Sequence, residues 1–261
     1  MKLPGRSNRR SQVSDVAYIG LNVALVLLLL FAVLSTQTIW LALILVTLSK
    51  WRIFAVRPRF WRANILANLV DVVVGVSHVV LLGAAIGAPW LQVLLSVAYA
   101  VWILLIKPRS KQVYIAIQAG VAVFIGSTAL ATVAYGTDSI VLAAGMWVIG
   151  YISARHVLMS YDEPLTGLLS GVWGLVLAEL GWLSYHWLFA YTLPNSANLK
   201  FVQIALVATL LSFLAEQTIA SRYRNDGQAK LSELMLPAAF TTTLILVVVI
   251  FFSGLIAGSS L

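Results

Sequence analysis

A chain of 261 residues that is 61% hydrophobic and only 10% charged carries more apolar surface than a water-soluble fold of that length can bury. Its formal charge of +8 does not indicate nucleic acid, because the basic residues sit in short connections between apolar runs and not on one soluble face. The lack of cysteine excludes disulfides and thiolate metal sites, and the HExxH, GxSxG and P-loop patterns are absent, so no catalytic residues, metal ligands or cofactors are expected and the chain does not read as an enzyme.

Residues 1–15 form a basic tail with Lys2, Arg6, Arg9 and Arg10. The apolar run that follows, Val16–Ser35, is too long for a signal-peptide core and reads as a retained anchor. A spanning helix needs about 20 mostly apolar residues. Eight further runs meet that need: Thr38–Val56, Asn64–Ile86, Pro89–Ile106, Gln112–Tyr135, Ser139–Met159, Leu165–Tyr191, Leu199–Ala220 and Leu236–Ala257. Residues 16–261 are therefore expected to form one all-α transmembrane domain, a polytopic bundle of about nine helices.

Cation placement sets the expected orientation. With nine spans, one side holds the four tail cations, then Lys50, Arg52, Arg57, Arg59 and Arg62, then Lys107, Arg109 and Lys111, then Arg155, and finally Arg222, Arg224 and Lys230. Only Lys200 falls opposite. The positive-inside rule makes the crowded side cytoplasmic, with the N-terminus inside and the C-terminus outside. In Lys50–Arg62, Trp51, Arg52, Arg57, Arg59, Trp61 and Arg62 interleave rings and cations. That mixture suits contact with anionic lipid headgroups on the cytoplasmic side, or capture of a phosphorylated or lipid-linked substrate.

Gly83 with Gly87, and Gly167 with Gly171, have the GxxxG spacing that lets helix backbones approach. They are expected to pack inside the bundle, or alternatively to form a face for a homo-oligomer or another membrane protein. Asp162-Glu163-Pro164 reads as an acidic helix-start turn.

Ionisable groups within spans are functional candidates, because charge in hydrocarbon is expensive. Asn64, Asn68, Asp71, Gly75 and His78 share one face of the third span. Thr209, Ser212 and Glu216 form a shorter stripe on the eighth. Glu179 and His186 share a face of the seventh with Val172, Leu175 and Trp182. If these helices meet, Asn68, Asp71, His78, Glu179, His186, Ser212 and Glu216 form a polar path for protons, ions or a small solute. The alternative is polar glue that fixes helix register in a non-catalytic membrane subunit or scaffold. A third reading is a lipid-modifying enzyme using Asp71 and His78 beside the basic-aromatic turn. Asp71 and His78 recur at an offset of 108 residues as Glu179 and His186. That spacing hints at a parallel repeat of four spans plus one, with a site between the halves.

Leu177-Ala-Glu-Leu-Gly-Trp182, Pro194 and the basic turn Ser221 to Lys230 before a last apolar helix resemble uncharacterised multispan membrane proteins of candidate-phylum bacteria. The resemblance covers the C-terminal third. It implies a bacterial cytoplasmic (plasma) membrane location, marks Glu179 and Trp182 for testing, and implies no particular activity.

Overall fold

The computed structural model describes residues 8–187, 190–192 and 200–257. Nine α-helices account for nearly all of them: α1 Asn8–Thr36, α2 Trp40–Leu48, α3 Trp61–Ala84, α4 Pro89–Val101, α5 Gln112–Ala134, α6 Ser139–Met159, α7 Thr166–Trp187, α8 Gln203–Arg224 and α9 Leu231–Ala257. Between α7 and α8 two three-residue strands, β1 Ala190–Thr192 and β2 Lys200–Val202, pair antiparallel with Tyr191 opposite Phe201. The rest of the loop between Thr192 and Lys200, with Pro194, lies outside the described residues, as do Lys2, Arg6 and the chain end from Gly258.

Among the described residues, eight helical segments are long and apolar enough to cross a membrane. The exception is α2, where the expected span Thr38–Val56 yields nine helical residues, followed by a 3-10 turn, Trp51–Ile53. Its path nevertheless follows almost all of α3 in the opposite direction. Ile39 lies where a Cβ on Gly83 would fall, Val46 crowds Gly75, Lys50 reaches Asp71, and Asn64 Nδ2 donates to the Ile53 carbonyl at 2.7 Å. From Gly83 back to Asn64, α3 rises about 28 Å at 1.5 Å per residue.

Local chemistry sets the helix ends. Gly87, at φ +93°, makes the turn from α3 into α4, and Pro89 opens α4, where its missing N–H is no loss. Gly87 thus serves a turn and packs against nothing within 4 Å. α4 continues as a π-helical stretch, Trp102–Ile106, closed by Lys107 N–H on the Trp102 carbonyl at 2.9 Å. Gln118 Nε2 then donates to the Ile106 and Arg109 carbonyls, both at 2.9 Å, which holds this end against α5. Asp138 caps α6 by accepting from Ile140 N–H at 3.0 Å.

Packing divides the helices into two groups. One core joins α1–α4 through Leu29, Val33, Val46, Val74 and Ile103 and also takes in Ala122 of α5 and Ile152 of α6. A second joins α5–α8 through Val123, Leu142, Met146, Leu177 and Ala208. A smaller cluster with Leu81, Ala85 and Ala129 ties α3 and α4 to α5, while α9 leans mainly on α8. The closest packing is between α6 and α7. There Gly150 sits against Gly174 and Leu177, Gly174 against Trp147, and Gly181 against Met146, so a Cβ at any of them would be crowded. Gly167 and Gly171 instead face open space, with nothing within 4 Å, so their expected role inside the bundle falls to Gly150, Gly174 and Gly181.

Candidate functional site

The polar stripe of α3 is covered by the chain's own second and fourth segments. Asn68 Nδ2 bonds the Asn64 carbonyl at 2.7 Å. One turn on, the buried Asp71 receives Lys50 Nζ at 2.5 Å and Lys107 Nζ at 2.9 Å, both on Oδ2. His78 is buried, stacked on Tyr99 with ring centroids 4.2 Å apart and planes 14° from parallel. His78 Nε2, the Tyr99 hydroxyl and Trp102 Nε1 have no hydrogen-bond partner. Both lysines take Oδ2 and leave Oδ1 without a hydrogen-bond partner, so the carboxylate is engaged by cations of its own chain; this centre joins α2, α3 and α4.

Sequence reading placed Lys50 and Lys107 among the loop cations. The available signal was depth. Both follow apolar runs that end about level with Asp71, and a lysine stem is long enough to carry its ammonium inward along apolar surface.

Glu179 and His186 lie elsewhere. α7 packs against α6 and α8, and its opposite face, with Leu168, Val172, Leu175, Glu179, Trp182 and His186, is exposed. The ring of His186 meets Trp182 and Tyr185 edge-on at 4.7 and 5.3 Å. Asp71 with His78 therefore faces inward and Glu179 with His186 outward. The shared spacing brings no site together between the halves, and the residues of the expected path are divided among three places.

The third place is on α8. Thr209, Ser212 and Glu216 line a groove of about 680 Å³ between α5, α6, α7 and α8. Its walls include Ile117 and Gly120 of α5, Ala154 of α6, Leu169 and Trp173 of α7, and Phe213 of α8. The groove shares Gln112, Tyr161, Ala220 and Arg224 with a polar recess of about 400 Å³ that adds Ser160, Asp162 and Tyr223. Arg224 thus lines both spaces, and neither Asp71 nor Arg62, where a lipid-modifying site was expected, lines either.

Within the groove Glu216 is half-buried. Tyr161 donates to Oε1 at 3.3 Å and Gln217 Nε2 to Oε2 at 2.8 Å. Burial and the neighbouring Glu216 carboxylate push the Tyr161 hydroxyl up to about 12, so it remains a proton donor at neutral pH.

The mouth is held by the acidic turn. Glu163 accepts from the Tyr223 hydroxyl at 2.6 Å and from Leu165 N–H at 3.4 Å, with Arg222 at 3.8 Å, and so ties the start of α7 to the end of α8. These contacts, the Tyr223 hydrogen bond foremost, hold its carboxyl below the ordinary value of 4.5. The helix-start reading of this turn fits, with Asp162 at φ +53° making the sharp bend.

The basic-aromatic turn is exposed except for Ile53 and the partly buried Lys50, with Arg59 over the Phe60 ring at 4.6 Å and Trp61 Nε1 on the Val56 carbonyl at 2.9 Å. Among the described residues no group of three His, Asp or Glu could hold a metal ion. No family model, curated protein or solved structure matches the chain.

Proposed function

We propose that this chain is a carrier for a small solute in a bacterial cytoplasmic membrane. It crosses nine times, with the N-terminus inside and the C-terminus outside. The charge distribution supports that topology: with nine crossings, all Lys and Arg residues but Lys200 fall on one side. The antiparallel run of α2 along α3 fits a crossing made by a short helix and a 3-10 turn. Trp51, Arg52, Arg57, Arg59, Trp61 and Arg62 meet anionic headgroups on the cytoplasmic face.

One observation carries the transport reading: a groove of ligand size between α5, α6, α7 and α8 with a carboxylate on its wall. The chain has no cysteine, so Gly120→Cys places a single thiol in the groove, where a side chain meets nothing within 4 Å. In a carrier, a membrane-impermeant thiol reagent reaches that cysteine from either face of oriented vesicles as the groove alternates. Labelling from the basic side alone would reduce the protein to a binding pocket.

A second reading, a membrane subunit, is favoured by Glu179. A carboxylate on an outward face in mid-helix is costly in lipid and calls for a covering partner helix. A Leu175→Cys thiol should then be shielded in native membranes and react after purification. Equal reactivity in both would sink that reading.

A further inference from the structure

The groove between α5 and α8 discriminates by charge, an inference that rests on the carrier reading and adds a substrate class to it. The protein is basic overall, yet the charged residues lining the groove and its mouth are Glu216, Asp162 and Arg224. Arg224 pairs with Glu233 at 3.0 Å. Among the described carboxylates, Asp71 holds two lysines, Glu163 an arginine and Glu233 an arginine. Glu216 accepts hydrogen bonds from the neutral donors Tyr161 and Gln217 and forms no ion pair, although Arg224 lines the same groove and a carboxylate has about four acceptor positions. It is a carboxyl group in a largely apolar wall with acceptor capacity left over, and the aromatic side chains of Tyr161, Trp173 and Phe213 line the same space.

Aromatic faces attract cations, most strongly when the cation is poorly hydrated. A bare metal ion is a poor match, because it needs several oxygen ligands and Glu216 is a lone carboxylate among neutral groups. An anionic amphiphile would meet Glu216 unpaired. We propose that the groove binds a hydrophobic organic cation, one delocalised or quaternary positive charge on an aromatic or alkyl framework. Glu216 sits against the charge, and Ile117, Trp173 and Phe213 against the framework. A volume of about 680 Å³ is within the range of sites for drug-sized ligands.

The test uses the full-length Gly120→Cys protein in neutral detergent, with tetraphenylphosphonium and tetraphenylborate as probes of nearly identical shape and opposite charge. Thiol modification should be slowed by the phosphonium and not by the borate. Adding Glu216→Gln should raise the phosphonium concentration needed for protection about tenfold, whereas Asp226→Asn, at the α8–α9 turn, should leave it unchanged. Equal protection by both ions, or protection indifferent to Glu216→Gln, overturns the cation inference while leaving a solute-binding groove. A thiol that reacts freely with either ion present likewise removes the cation. A thiol that never reacts, in a protein that elutes and melts normally, shows a closed groove and overturns the carrier reading itself.

Discussion

The two four-helix groups treat a membrane carboxylate in opposite ways. In α1–α4, Asp71 is buried and bound by two lysines from neighbouring segments. In α5–α8, Glu216 lies on the wall of an open groove and holds only neutral donors. An acidic residue in an apolar stretch therefore does not by itself mark a pathway. The accompanying cations decide whether the charge joins helices or stays available to a ligand.

The largest test of this contrast removes the locked charge. Asp71→Ala should destabilise the detergent-purified protein by about 3–5 kcal/mol, because two lysines lose their shared anion in a poorly solvated place. Denaturant unfolding measures it, and a loss no larger than that of Glu216→Gln would erase the contrast.

Next is the packing that brings Lys50 to Asp71. Gly83→Leu overlaps Ile39 and should cost about 1–3 kcal/mol. Gly171→Leu enters open space and should leave the isolated chain's melting temperature nearly unchanged.

A smaller effect is expected at the mouth of the groove. The folded-state pKa of Glu163 is depressed, so its contribution is fully present above 4.5 and is lost as pH falls through the lower folded value. Thermal stability should fall more steeply in that acid range for the native protein than for Glu163→Gln. The smallest change expected is Glu216→Gln, within about 0.5 kcal/mol of the parent, since no cation is abandoned. A large loss there would mean that Glu216 is structural after all.

The helices were largely legible because a membrane demands uninterrupted apolar runs, and their ends fell near Pro89, Ser139 and Thr166. α2 was overestimated: apolar content continues through Ile53 and Val56, but the helix stops at Leu48 and Lys50 turns to Asp71. The α8 stripe was read correctly as one face, and it lines the groove. The face containing Glu179 was equally legible; its direction was not. In a membrane, lipid and protein interior are both apolar, so a Val-Leu-Trp stripe fits either. Tyr161 and Gln217 were missed because each is an ordinary residue whose role exists only beside Glu216.

The π-helical stretch at Trp102–Ile106 has a further consequence for Lys107. A wider turn changes the angular phase of everything after it relative to a regular helix. The second lysine on Asp71 thus depends on a register offset in α4, written as backbone winding and invisible in side-chain chemistry. Deleting one residue within 102–106 would let the segment rewind as α-helix and swing Lys107 to another azimuth. The ion triad would become a pair with every charged residue still present in the chain.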